Sequence, residues 1–518
     1  MESTHYEVAG EKGVQALHEK RDSVHSIETG AASSGVGFTP EDTKRLLGKL
    51  DRRILPWMAG LFLLSYLDRS NIGNARLDGL EKDLGLHGLQ FNNALAIFYP
   101  FYVISEVPSN MILKRTRASF WFAFLMVSWG TIMTLMGLVK NYTGLMIART
   151  FLGIAEGGLF PGIAFYITLW YQRSETGARM AIYYAAATVA GAFGGLLARG
   201  ISEMSGVGGL KGWSWIFTLE GLLTIIIGKS INTARLSNIA DNVLWNTAVV
   251  AYFFIPDHPS TAPFLTPAEQ AEVVRRLDDD NCHLSRDNDM EFFWDAVKDW
   301  KTYAYMLIFI ACTTPTYSLA LFLPTIISNM GYTAERSQLL SVPPYVLACI
   351  LTVTAGITAD RLRTRGRFMV GCFLLSIVGF AMLIGSTAPA VQYTAVFVAS
   401  AGAFPNVAMC MSWCGNNFGG AMKRSVAIAM VVAFGNLGGL IASYTYISRN
   451  APRYYSGHGT LIGVLALGAA TALIVHIYCR RENKRRDRVY KAPELYTEDE
   501  LKNESRKGDS ATFFRFVD

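Results

Sequence analysis

Arg149-Thr150-Phe151-Leu152-Gly153-Ile154-Ala155-Glu156-Gly157-Gly158-Leu159-Phe160-Pro161-Gly162 lies inside an apolar run from about Thr143 to Trp170. That run is long enough to cross a bilayer as a helix. Arg149 and Glu156 are seven residues apart, so on a helix they share one face, about 10 Å apart at the helical rise per residue. A charge facing lipid is expensive, so both side chains belong in a protein interior or a watery cavity. The glycines let neighbouring helices approach closely. A structural ion pair between packed helices and a transport site are the two readings of such a stretch. The rest of the chain decides between them.

The surrounding sequence has the same character. Of 518 residues, 51% are hydrophobic and 17% charged, and the mean hydropathy is positive. This is too apolar for a soluble protein of such length. Twelve apolar runs of about 20 residues, separated by short polar loops, predict an all-α membrane protein with twelve transmembrane helices in two six-helix bundles. No soluble segment is large enough for a catalytic domain, which argues against an enzyme. The net charge of +6 requires no nucleic acid, because the basic residues cluster in the loops assigned to the cytoplasm. Those short loops hold Lys114, Arg115, Arg117, Arg173, Arg179, Arg361, Arg363, Arg365, Arg367, Lys423 and Arg424. Fewer basic residues fall in the loops opposite, so both termini are expected in the cytoplasm and the plasma membrane is the expected location. No cysteine falls in an outer loop, Cys282 lies in the central one, and neither a disulfide nor a metal or cofactor site is expected.

The chain divides by composition. Residues 1–46 are polar and aperiodic and read as a disordered cytoplasmic tail. Residues 47–255 form the first six-helix bundle and 256–300 a cytoplasmic linker, in which Pro267 to Asp280 is expected as a surface helix capped by Thr266. Residues 301–480 form the second bundle and 481–518 a cytoplasmic tail. The bundles repeat: Gly191-Ala192-Phe193-Gly194-Gly195-Leu196-Leu197-Ala198 of helix 5 matches Gly435-Asn436-Leu437-Gly438-Gly439-Leu440-Ile441-Ala442 of helix 11. Parallel repeats of this size imply two bundles around a central pathway.

Charges within the membrane concentrate in the first half. Helix 1 ends Tyr66-Leu67-Asp68-Arg69-Ser70-Asn71-Ile72-Gly73-Asn74, helix 2 carries Glu106 before Val107-Pro108-Ser109-Asn110, and helix 6 carries Phe217-Thr218-Leu219-Glu220-Gly221. The second half offers Thr313, Thr314 and Tyr317 around Pro315, and Asn406 after Pro405. Glu106 lies nearer the inner face and reads as structural.

With this layout the chain resembles a major facilitator superfamily transporter. Gly356-Ile357-Thr358-Ala359-Asp360-Arg361-Leu362-Arg363-Thr364-Arg365-Gly366-Arg367 resembles that superfamily's signature between helices 8 and 9, which implies that Asp360, Arg361 and Arg365 brace the gate. The motifs of helices 1, 2, 4 and 6 resemble the anion:cation symporter family, in particular its fungal allantoate permease branch. The resemblance implies proton-coupled uptake of a small organic anion of carboxylate, vitamin or ureide type by alternating access, by a monomer. An anion would be met by Arg69 and Arg149, with Tyr317 and Asn406 hydrogen-bonding from the other half. Glu156 is the first choice for the coupling proton, with Asp68 and Glu220 next. Export of a secondary metabolite and non-transporting nutrient reception use the same fold; no proline occurs between Pro161 and Pro256, which counts against the drug antiporters.

One segment departs from the pattern. The branch often has arginine between the tryptophans where Trp213-Ser214-Trp215 stands, which would leave Glu220 without a partner. Helix 6 then runs to Ile227-Gly228, meets the polar stretch Lys229–Ala248, and resumes at Val249-Val250-Ala251-Tyr252-Phe253-Phe254-Ile255. Residues 229–248 read as a translated intron.

Overall fold

The computed structural model describes residues 38–236, 255–281, 290–362, 364–451, 453–488, 500, 504, 507–512 and 514–518. Cys282, Arg363, most of the expected N-terminal tail, residues 237–248 of the interrupting stretch and the side chain of Asp360 lie outside this description. The described residues before Leu50 belong to one unit and those from Leu50 onward to another. In the first, Thr39 and Asp42 cap a helix start: the Asp42 amide donates to Thr39 Oγ1 at 3.2 Å and the Thr39 amide to Asp42 Oδ2 at 3.2 Å. The second unit holds the two bundles.

Twelve helical elements carry the described fold. In the first half they are α1 (Pro40–Leu77), α2 (Gln90–Ala96 and Phe98–Arg115), α3 (Ala118–Met136), α4 (Tyr142–Glu156 and Leu159–Thr168), α5 (Arg173–Ser202) and α6 (Gly212–Leu236). In the second they are α7 (Trp300–Ser328), α8 (Val342–Leu362), α9 (Gly366–Gly385), α10 (Pro389–Asn417), α11 (Ala421–Gly435 and Gly438–Ser443) and α12 (Tyr455–Asp487). Nine spans among the described residues are long and apolar enough to cross a membrane. The remaining three elements, α1, α2 and α6, fall short of that measure: each carries ionisable residues within its run, α2 is split at Ile97, and α6 meets Lys229 early.

Burial separates inner from outer helices. The spanning window of α7 is 89% buried and that of α10 is 83%, against 33% for α9. So α7 and α10 line the middle and α9 faces lipid. Within the halves, α3 packs on α6, α2 on α4, α9 on α10 and α12, and α7 on α12 and α11. Between them, α5 meets α8 and α10, while α2 meets α11.

The linker lies against the first half. Its helix spans Pro267–Asn281, with Thr266 and Glu269 in a reciprocal cap. Arg276 Nη2 donates to Glu175 Oε1 at 2.6 Å and to Gln172 Oε1 at 3.1 Å. We call this side of the molecule the linker face.

The two halves touch on the far face and part on the linker face. Across the far face, Asn92 Nδ2 donates to the Ser443 carbonyl at 2.6 Å, Tyr444 Oη to Asn93 Oδ1 at 2.9 Å, and Arg199 pairs with Glu335 at 3.2 Å. Glycines permit the approach. A Cβ on Gly191 would lie 2.6 Å from the Tyr345 ring, one on Gly195 would lie 2.7 Å from the Gln338 carbonyl, and one on Gly73 would land on the Leu321 carbonyl oxygen. On the linker face a cleft of about 290 Å³ opens between Thr168, Tyr171 and Met180 of the first half and Met411, Ser412 and Ile428 of the second.

Gly73 therefore gives a test. A backbone oxygen cannot swing aside as a side chain can, so Gly73→Ala is expected to disfavour the closed far face by about 1–3 kcal/mol, a population shift of roughly 5- to 150-fold. With a cysteine replacing Ser341, which is 1% exposed at this contact, modification by an impermeant thiol reagent should accelerate accordingly. Equal rates with and without Gly73→Ala would mean that the contact does not hold the far face shut.

Candidate functional site

The site is built on α1, whose polar residues sort by helical spacing onto two faces. Ser65 and Arg69, four apart, face α4 and the second half. Asp68 and Asn71, three apart, face α3 and α6. All four are buried.

On the first face, Arg69 Nη2 donates to Glu156 Oε1 at 2.7 Å, and Ser65 Oγ donates to the same oxygen. Arg69 Nη1 donates to Tyr317 Oη at 3.0 Å, so the arginine of the first half reaches α7 of the second. The chain continues as Tyr317 Oη donates to Asn436 Oδ1 at 2.8 Å and Asn436 Nδ2 faces Glu106 Oε2 at 3.5 Å. The guanidinium lies over the rings of Tyr102 at 4.8 Å, Phe98 at 5.1 Å and Tyr317 at 5.5 Å. An aromatic box around a delocalised cation lowers the cost of burying it. Beside this box is a cavity of about 10 Å³ lined by Tyr66, Arg69, Tyr184, Thr313, Tyr317 and Asn436, room for about one water.

On the second face, Trp129 Nε1 donates to Asp68 Oδ2 at 3.0 Å and Thr224 Oγ1 lies 3.4 Å from it. Asn71 Nδ2 donates to Glu220. Glu220 therefore has a partner, contrary to the expectation from Trp213-Ser214-Trp215, because Asn71 of α1 supplies the donor. Asp68 Oδ1 and Glu220 Oε1 are buried without hydrogen-bond partners among the described residues.

The glycine-rich stretch of α4 behaves as two pieces. Its first helix ends at Glu156, and the second starts at Leu159. A Cβ on Gly153 would strike the Phe98 carbonyl, and one on Gly157 the Tyr102 carbonyl. The glycine run thus seats α2 against α4 at backbone distance, which delivers Tyr102 and Glu106 to the cluster. Glu156 and Arg149 do lie on one helix, but the ion-pair partner of Glu156 is Arg69. Arg149 is 2% exposed, and its Nε and Nη2 have no hydrogen-bond partner among the described residues. It lies within electrostatic reach of Tyr99, Glu156 and Arg69.

Other expected residues fall elsewhere. Asn406 is buried, but its Nδ2 donates to the Gly402 carbonyl of its own helix at 3.0 Å, and it is absent from the lining of the Arg69 cavity. The kink at Pro405 therefore does not deliver it to the cluster. Arg361 is exposed and Arg365 is buried at the linker end of the second half, far along the chain from the cluster. Glu106, read as structural, meets Asn436 at the interface of the halves, where Gly157 and Gly158 let α2 approach α4 closely. Sequence reasoning missed Ser65, Tyr102 and Asn436. Asn436 had a signal: it is the polar residue where the helix 5 repeat has Ala192.

Two helical bundles thus meet at a buried charged cluster, with a cleft open on one face. Residues 58–443 match the Major Facilitator Superfamily model, and the chain belongs to that superfamily. It is 36% identical over 499 residues to the MFS-type transporter cnsO of Penicillium expansum, covering 93% of this chain and 92% of that one. It is 30% identical over 453 residues to the high-affinity nicotinic acid transporter of Saccharomyces cerevisiae, covering 87% and 81%. The crystal structure of a bacterial homolog to the human lysosomal transporter Spinster shares the fold, with a TM-score of 0.57 at 14% identity, over 82% of this chain and 96% of that one. The protein is thus a multi-pass membrane transporter.

Proposed function

We propose that the protein carries a small organic anion inward together with a proton, across the plasma membrane, with both termini and the linker face in the cytoplasm. The observation that carries this reading is Arg149, a buried guanidinium with two nitrogens unpartnered among the described residues, beside an Arg69 that is ion-paired with Glu156. A buried unpaired charge is costly, and a carboxylate with two acceptor oxygens suits a planar fork.

Glu156 and the substrate compete for the same arginine. While Glu156 is ionised it occupies Arg69 Nη2. Protonation removes that claim, and an incoming anion then satisfies Arg69 and Arg149 together. Proton and anion therefore bind cooperatively, with a coupling of about 1–3 kcal/mol by ordinary linkage. Tyr317 and Asn436 tie the same arginine to the second half, so loading of the site is felt by both bundles. Asp68 and Glu220, two further buried acids on the side of α1 that meets α3 and α6, offer a reserve for the proton. The name of the yeast relative makes nicotinate a sensible first probe.

Labelled nicotinate and other small carboxylates should enter cells expressing the protein faster from acidic medium, and a protonophore should stop accumulation. Carboxylates should compete, while the matching amides should not. Arg149→Lys should weaken uptake about tenfold or more, the loss of one or two charged hydrogen bonds at about 1.5–3 kcal/mol each. Amides competing as well as acids, or Arg69→Lys and Arg149→Lys both leaving affinity unchanged, would show that the substrate is not an anion held here.

A further inference from the structure

The last residues of the chain, assigned from sequence to a tail, are held by side chains of the second half. Asp509 is 1% exposed. Its Oδ1 accepts from Lys423 Nζ at 2.7 Å, and its Oδ2 pairs with Lys301. Asp299 completes the cluster, 2.9 Å from Lys423 and 3.4 Å from Lys301. Burial would raise the Asp299 carboxyl, but Lys301 and Lys423 outweigh it and hold it below the usual aspartate range. Without Asp509, two buried lysines would face one aspartate.

The backbone of the segment is read as a peptide would be. Arg486 Nη1 donates to the carbonyls of Asp509 at 2.8 Å, Phe514 at 3.1 Å and Ala511 at 3.2 Å. Asn483 takes the Phe516 amide at 2.9 Å and gives to its carbonyl at 2.8 Å. Asn417 does the same for Val517, at 2.7 and 2.9 Å, and Trp413 Nε1 donates to the Val517 carbonyl at 2.7 Å. The Phe516 ring is 4% exposed, between Arg486 at 4.6 Å and Lys301 at 4.7 Å. Gly419, between α10 and α11, has no room for a Cβ because the Asp509 amide is there.

We propose that Lys301, Lys423, Asn417, Asn483 and Arg486 form a peptide-binding site whose occupant is the chain's own residues 508–512 and 514–517, and that this docked segment holds the α10–α11 corner away from the first half, keeping the linker-face cleft open. The corner has two sides. Gly415, Asn416, Arg424 and Ser425 line the cleft, while Asn417, Gly419 and Lys423 hold the segment. To shut the cleft, the corner must swing toward Thr168 and Tyr171. The docked segment ties it instead to α7 through Lys301 and to α12 through Asn483 and Arg486.

The test uses the full-length protein with Met180→Cys, on the first-half wall of the cleft. Asp509→Asn keeps the shape and removes the charge. Hydrogen exchange at the Phe516 and Val517 amides should rise about tenfold or more, and modification of the cysteine by a bulky charged thiol reagent should slow about threefold or more as the cleft closes. Asn417→Ala with Asn483→Ala, which spares the ionic cluster, should do the same. Faster exchange with unchanged modification would overturn the proposal, and so would unchanged exchange in both variants.

Discussion

Glu156→Gln is expected to retain exchange of substrate across the membrane and to lose accumulation. Glutamine mimics a protonated carboxyl: its oxygen can accept from Ser65 Oγ and Arg69 Nη2, the two donors that now meet Glu156 Oε1. It cannot release or take a proton. With anion bound, the cluster is electrostatically as complete as in the wild type, so the loaded carrier should cycle and exchange should continue. Without anion, Arg69 joins Arg149 as a buried charge lacking a counter-ion, at a cost of about 3–5 kcal/mol for one broken buried pair. The empty carrier should then return slowly, and net uptake should stall. One proton per monovalent anion converts each unit of pH difference, about 1.4 kcal/mol, into tenfold accumulation in the wild type. In the variant the ratio should fall to equilibrium. Proteoliposomes preloaded with label and then given an acidic exterior separate the two quantities. Wild-type accumulation by Glu156→Gln would remove Glu156 from the coupling role.

How far the site could be read from sequence depends on how local its signals are. Helical spacing alone places Asp68, Arg69, Arg149, Glu156 and Glu220 inside the protein, because a charge in an apolar run has few other places to go. Which charges pair is not local. Arg149 and Glu156 share a helix and invite pairing, yet Glu156 turns to Arg69, 87 residues earlier, because the glycines of α4 bring α2 close and α1 passes between the halves. Asn406 and Asn436 show the same limit. Both are polar residues in apolar helices of the second half, but only Asn436 is turned toward Tyr317. The 508–518 segment is short and has no aromatic residue before Phe513 and no helical period. Its dock consists of side chains from α7, α10, α11 and α12, so no single stretch announces it.

The largest structural consequence concerns α6, and sequencing of the mature transcript is expected to show that codons 229–248 are absent. The apolar part of this helix, Trp213 to Ile227, covers only about 22 Å at the helical rise, short of a hydrocarbon core of about 30 Å. Its depth is fixed by α3. A Cβ on Gly130 would lie 2.9 Å from the Gly221 carbonyl, and one on Gly228 would lie 2.9 Å from Met126 Cβ. From Met126, α3 continues eight residues to its linker-face end at Ala118, a further ~12 Å. As translated, α6 must run that stretch with Lys229, Asn232 and Arg235 in its sequence, residues that are costly within a bilayer. Further along the chain, the Ser119 amide donates to Asp257 Oδ1 at 3.0 Å and Tyr166 Oη donates to the Pro256 carbonyl. Joining Ile227 through one alanine to Val249–Ile255 places Asp257 nine residues beyond the Gly228 position, about 13 Å on as a helix. That is close to the ~12 Å from Met126 to the end of α3 beside Ser119, with apolar residues along the way. The codons permit the excision: Gly228-Lys229-Ser230 can read GGTAAGTC, with the donor GTAAGT; Thr247-Ala248 can read ACAGC, ending an intron in AG and leaving alanine; and Ala240-Asp241 can read GCTGAC, with a branch-like CTGAC. Removing twenty codons keeps the frame. Protein made from the shortened message should reach the membrane in greater yield than protein that retains residues 229–248. If the sixty nucleotides persist in the dominant message, the stretch is a genuine insertion and α6 crosses the bilayer with a shortened apolar span.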